Sequence, residues 1–155
     1  MLSIRPVTTE DASAIVDLLN PIIGAGKYTA ISEAITVEEQ LAFIRSLPPR
    51  GVYLAAIDEP STRLLGIQDV LPHADAESHG EISTFVLLDH RGRGIGSALM
   101  RATVLRAVMH GYTHLRAVIQ PRNAHAIAFY AAMGFVDGNP PSTESRIMLK
   151  HLHRG

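Results

Sequence analysis

At 155 residues, 46% of them hydrophobic, the chain can bury one substantial core but is too short for two domains. The absence of cysteine excludes a disulfide framework, a thiolate metal site and a cysteine nucleophile. The 14 basic and 15 acidic residues nearly cancel, yet six arginines and no acid fall between Asp89 and Asp137, so the chain is strongly divided in charge.

Leu2 to Arg5 alternates as a short strand, and Thr8 or Thr9 can cap a helix whose first turn holds Glu10 and Asp11. Ala12, Ile15, Leu18, Leu19 and Ile22 form its apolar face, and Pro21 and Gly24 are expected to end it. Gly24 to Thr29 reads as loop. Thr36-Val37-Glu38-Glu39 opens a second helix as a capping box, with Leu41, Phe43, Ile44 and Leu47 inward and Pro48-Pro49 as its stop. Val52 to Ile57 and Leu64 to Leu71 are expected strands of an antiparallel hairpin about the Asp58-Glu59-Pro60-Ser61 turn. His73 to His79 reads as a polar loop. Its alternating histidines and acids have metal-ligand character, but no supporting cluster occurs elsewhere and no metal is expected. His151 and His153 read as tail residues.

Glu81 to Leu88 is the expected central strand, with Glu81, Ser83 and Phe85 on one face. It runs into Arg91-Gly92-Arg93-Gly94-Ile95-Gly96-Ser97, after which Ile95, Leu99, Ala102, Leu105 and Met109 recur at helical spacing up to Gly111. Strand, Gly/Arg turn and helix start together make an anion site, because first-turn N–H groups lack partners and the helix dipole is positive there. A P-loop needs Gly-Lys-Ser/Thr, and neither lysine of the chain is near. A dinucleotide fingerprint needs a third glycine where Ser97 stands, and an acid ~20 residues later that is missing. Arg101 and Arg106 are read as solvating a helix face.

Leu115 to Ile119 is the next strand, expected parallel to its predecessor because a whole helix intervenes. Asn123 can cap a helix from Ala124 to Met133, which Gly134 ends. Phe135-Val136, a turn at Asp137 to Pro141, and Arg146 to Lys150 complete a pattern that suits a mixed α/β sheet.

The segment Arg91 to Gly96 resembles the Arg/Gln-x-x-Gly-x-Gly/Ala signature of the GNAT superfamily of acyl-CoA N-acyltransferases. Asn123 to Tyr130, followed by Ala131 to Phe135, resembles that family's second cofactor-contacting segment. The likeness runs over nearly the whole chain. Glu81 to Val86 and Ala117-Val118-Ile119 look closest to the phosphinothricin-acetyltransferase-like branch, from which Tyr130 departs, since histidine is frequent there.

The resemblance implies a single N-acetyltransferase domain over 1–155: an α/β (α+β) fold with a mixed, mostly antiparallel twisted sheet of about six to seven strands and about four helices. The sheet would splay at its two central parallel strands. Acetyl-CoA would insert its pantetheine arm there, against Phe85 and the backbones of Val86 and Leu88. Arg91, Gly92, Arg93, Gly94, Ile95, Gly96 and Ser97 would hold the pyrophosphate, with Asn123 contributing from the next helix. Glu81 is the nominee for general base, directly or through water, although its residues alone also suit a solvated strand end. Tyr130 is the nominee for general acid toward the sulfur, although its helical stripe equally suits packing.

The implied reaction is direct acetyl transfer to the primary amine of a small molecule such as an amino acid or analogue. A peptide N-terminus is an alternative acceptor, and a non-catalytic acyl-CoA sensor the alternative function. Acceptor contacts are expected from Lys27, Tyr28 and Ser83, and from the 24–29, 73–79 and 140–145 segments. A homodimer is common in the family. Aromatics at 5% speak against a nucleic-acid module. No apolar run nears the ~18 residues of a membrane span and charged residues punctuate the N-terminal segment, so a cytoplasmic chain without leader or anchor is expected.

Overall fold

The fold is described from a computed structural model covering residues 1–26, 29, 31, 33–138 and 145–153. In chain order the elements are β1 (Leu2–Pro6), α1 (Ala12–Ala25), α2 (Val37–Arg45), β2 (Val52–Asp58), β3 (Arg63–His73) and β4 (Ala76–Val86). They are followed by α3 (Ile95–Met109), β5 (His114–Ile119), α4 (Ala124–Ala132), β6 (Val136–Asp137) and β7 (Arg146–His151). The strands form one mixed sheet in the order β1-β2-β3-β4-β5-β7-β6. Every neighbouring pair is antiparallel except β4 and β5, which the α3 crossover makes parallel.

Apolar alternation sends the strand side chains into two layers. Leu54, Val70, Ile82, Leu115 and Ala117 pack against Leu99, Met100 and Tyr130 of α3 and α4. Tyr53, Ala55, Ile67 and Phe85 face the opposite way, against Ile15, Leu18 and Ile22 of α1 and Phe43 and Ile44 of α2. Burying a side chain of this size contributes about 1.5–3 kcal/mol, so both faces are committed wherever helices cover them.

The expected splay is present. Pairing between β4 and β5 ends after three rungs, His79 with His114, Gly80 with Leu115 and Glu81 with Arg116. From Ile82 to Val86, β4 pairs only with β3, leaving its other edge unpaired by β5. An extended ligand with amides can add to such an edge as a strand would.

Four local readings are corrected. Helix α1 runs through Pro21 to Ala25 and stops at Gly26, whose φ of +73° gives a left-handed cap. Pro21 removes the hydrogen bond to the carbonyl of Asp17, and both residues lie on the exposed side, where water replaces it. The polar 73–79 segment is not a loop: β3 reaches His73 and β4 begins at Ala76, leaving a two-residue turn. Polar composition there marks strands projecting past the covering helices. Leu105 and Met109 are 68% and 81% exposed, and Thr103 and Ala107 take the inward positions instead. A short 3-10 turn, Thr9–Asp11, precedes α1; the Asp11 carboxylate accepts from the Thr8 N–H at 2.8 Å and receives both guanidinium N–H groups of Arg5.

Candidate active site

The Gly/Arg turn forms as its residues require. Gly92 and Gly94 have φ of +76° and +79°, values that L side chains adopt only with strain. Gly94 is the left-handed N-cap of α3, and nothing lies within 4 Å of where a Cβ would sit at either glycine. The backbone is therefore open to a ligand, and the 15-residue helix aims the unpaired N–H groups of its first turn at the same space.

A groove of about 450 Å³ runs from this turn along the free edge of β4. Of the residues expected to bind the cofactor, Phe85, Val86, Arg91, Gly92, Gly94, Ile95, Gly96, Ser97 and Asn123 line it. Leu88 and Arg93 do not: Leu88 sits in a 3-10 turn and is 38% exposed, and the Arg93 side chain points to solvent. His90 and His125 line the groove and were not anticipated. His90 had no spacing signal beyond its place two residues before Gly92. Asn123 caps α4 by accepting from the Ala126 N–H at 3.1 Å, so one side chain fixes the helix start and borders the groove.

On the α1/α2 side lies a second cavity of about 580 Å³. Ser83 lines it as expected, together with Thr29, Ile31 and Ser145. Lys27, Tyr28 and positions 140–144 fall outside the described residues. The 73–79 segment contributes nothing to the lining. Sequence reasoning missed its α2 wall (Glu39, Gln40 and Phe43) and Ile35 just before that helix, and missed Tyr53 and Asp69 from the sheet. The alternation of Tyr53 and Asp69 with core residues was the available signal.

Thr84, Phe85, Asn123, Ala126 and Tyr130 line both cavities. The two spaces therefore meet through the gap between β4 and β5. Tyr130 is buried at this junction, its hydroxyl 2.9 Å from Oγ1 of Thr84, which also receives the side-chain N–H of the fully buried Gln68 at 2.9 Å. Burial raises the Tyr130 hydroxyl above the ordinary tyrosine range, and the Thr84 hydrogen bond only partly opposes this. It is neutral at physiological pH and can donate a proton.

Across three strands, Tyr53, Asp69 and Ser83 form one rung, with Glu81 two rungs further on, opposite Leu71. Gln40 donates to the Tyr53 hydroxyl at 2.7 Å, leaving the tyrosine proton for another acceptor. The Asp69 carboxyl is pushed up to about 7 by burial, and further by the charge of Glu81. Glu81 itself lines neither cavity; it stands at the last β4–β5 rung, paired in register with Arg116.

Residues 20–135 match the model of the acetyltransferase (GNAT) family. The chain belongs to the GNAT acetyltransferase family. It is thus an acyltransferase enzyme of the kind its glycine turn suggested. It is 29% identical over 141 residues to a phosphinothricin N-acetyltransferase of Streptomyces coelicolor, covering 86% of this chain and 81% of that one. A Pseudomonas aeruginosa L-methionine sulfoximine/L-methionine sulfone acetyltransferase is 24% identical over 143 residues, 90% of this chain and 83% of the relative. Among solved structures, a phosphinothricin acetyltransferase from Sinorhizobium meliloti in complex with acetyl-CoA superposes with a TM-score of 0.86 at 20% identity, over 97% of this chain and 88% of the other. A GCN5-related N-acetyltransferase from Kribbella flavida gives 0.85 at 22%, over 97% and 98%. The likeness to the phosphinothricin branch is thereby shown, and the GNAT fold with it.

Proposed function

We propose that this GNAT chain is one N-acetyltransferase domain that moves the acetyl group of acetyl-CoA to the primary amine of a small molecule, in the cytoplasm and without a metal. The observation that carries the reading is the shared wall of the two cavities: a ligand along β4 and a ligand in the α2-side cavity would meet at Thr84 and Tyr130. The relatives named for phosphinothricin and methionine sulfoximine support a small amine over a peptide terminus.

Acetyl-CoA supplies a thioester, the activated acyl group. In this reading the turn from Arg91 to Ser97 holds its diphosphate by backbone N–H groups and arginine charge. The free edge of β4, at Phe85 and Val86, aligns the pantetheine amides. The amine nitrogen attacks the carbonyl carbon, the C–S bond breaks, and Tyr130 donates its proton to the departing sulfur, to be restored by the second proton that the nitrogen sheds as the amide forms. The ammonium proton of the acceptor passes to Glu81, through water because Glu81 is set back from the cavity lining. Direct attack suits a chain with no cysteine. The family habit of dimerisation is carried along as part of the proposal.

The test pairs two measurements: thermal stabilisation by coenzyme A, and release of free thiol from acetyl-CoA across a panel of amines. Stabilisation with amine-dependent thiol release is expected. Stabilisation without release for any amine would instead assign an acyl-CoA sensor.

A further inference from the structure

Resting on the acetyltransferase reading, the charge pattern of the second cavity goes further, to the class of acceptor. Its floor is apolar: Leu19, Ile35, Phe43, Ile67 and Val118 supply most of the wall, and Phe43 meets Tyr53 edge-on at 5.4 Å. Its ionisable lining residues, among those described, are Glu39, Asp69 and the two tyrosines Tyr53 and Tyr130; no arginine, lysine or histidine is among them. Glu39 is occupied at the start of α2, where its carboxylate accepts from the Thr36 N–H at 3.1 Å. The Asp69 side chain has no hydrogen bond or ion pair among the described residues. Arg116 lies on the same sheet face but stands opposite Glu81, outside the lining.

An unpaired carboxylate in such half-buried surroundings is costly, because the apolar wall disfavours its charge and no described residue of the lining repays it. A carboxyl raised to about 7 expresses that cost. A cation entering the cavity removes it. A second carboxylate entering beside Asp69 and Glu39 increases it. An amino acid brings both an ammonium and a carboxylate within a few ångströms, whereas a simple amine brings only the first.

We infer that Asp69 is the counter-charge for the acceptor's ammonium, and that the described lining favours an apolar primary amine over one that carries a carboxylate. Asp69 fixes the amino end at the rung of Tyr53 and Ser83, one residue along β4 from Thr84 at the junction with the cofactor groove. The Tyr53 hydroxyl, already accepting from Gln40, has its proton available to the same end of the acceptor. The hydrocarbon body lies against Phe43, Ile35 and Val118. This acceptor class differs from the zwitterions in the names of the curated relatives.

The test uses acetyl-CoA with matched pairs that differ by one carboxylate: 2-phenylethylamine and phenylalanine, isoamylamine and leucine, 3-methylthiopropylamine and methionine, with phosphinothricin added. Thiol release is read as kcat/KM. Each amine is expected to exceed its amino acid by tenfold or more. In Asp69→Asn the amine KM is expected to rise at least tenfold with a smaller change in kcat, and the ratio within each pair to shrink. Coenzyme A stabilisation of that variant reports whether it is folded, and the wild-type pairs stand without it. Amino acids equal to or better than their amines, or an Asp69→Asn loss equal for both members of a pair, would overturn the inference while leaving the acetyltransferase reading intact. No thiol release from any compound would sink both.

Discussion

Tyr130 reaches Thr84 at 2.9 Å through the wall common to the two cavities, and Gln68 holds Thr84 from behind at the same distance. The Gln68 N–H occupies one lone pair of the threonine hydroxyl, so Thr84 can give its own proton to Tyr130 and leave the phenolic O–H pointing to the junction. Tyr130→Phe should lower kcat by roughly 10²–10⁴-fold with the KM for acetyl-CoA near normal. Thr84→Val should lower kcat less, and should cost about 1–3 kcal/mol in a urea melt because the Gln68 donor is then buried without a partner. Steady-state kinetics on both variants checks the order; equal kcat in Tyr130→Phe and wild type would remove the acid from Tyr130.

Glu81 is set two rungs behind Ser83 on the same face, so the part proposed for it is proton uptake rather than binding. Glu81→Gln should reduce turnover while coenzyme A still raises the melting temperature as in wild type. An unchanged rate at saturating amine would leave Asp69 as the remaining carboxylate able to take the proton.

Most strands and helices and the glycine turn were legible because their signals are local: alternation, turn residues, and glycines at positions that require positive φ. The boundaries that moved were set by tertiary context. Pro21 is tolerated because buried Leu18, Leu19, Ile22 and Ile23 hold the helix on either side of it. Leu105 and Met109 obey a helical period but sit on the wrong side of α3, whose core contacts are made by Met100, Thr103 and Ala107. The groove proposed for the cofactor is walled largely by one contiguous segment, residues 90–97, that stands out in the sequence. The second cavity, the proposed acceptor side, is assembled from α2, β2, β3 and β4, and no linear spacing joins Gln40, Tyr53, Asp69 and Ser83.

Glycines in and out of the groove should respond oppositely to alanine. A Cβ on Gly96 would fall 2.8 Å from the Phe129 ring, which itself borders the cofactor groove. Gly96→Ala should cost about 1–3 kcal/mol by overpacking and weaken coenzyme A binding as the ring is pushed aside. Gly24, exposed in α1 with nothing within 4 Å of its would-be Cβ, should gain about 0.5–1 kcal/mol as alanine and bind coenzyme A normally. Denaturant melts and calorimetric titration read the two effects separately.

Asp69 also writes a signature into the pH dependence of stability. Its folded carboxyl titrates at about 7 against an ordinary 3.8, so between those values the folded chain holds a proton that the unfolded chain has lost. Stability therefore falls as pH rises across that window, by at most ~4 kcal/mol for a shift of this size. Asp69→Asn cannot lose the proton. Its stability relative to wild type should be greater at pH 8 than at pH 4, with the difference growing steadily between. Glu81 should modulate the effect, since its charge contributes to the displacement: in Glu81→Gln the slope should begin at the same pH as in wild type but end at a lower one. Calorimetry at half-unit intervals tests both. A constant offset between wild type and Asp69→Asn would mean that Asp69 is ionised throughout in the folded protein, already paired within the cavity.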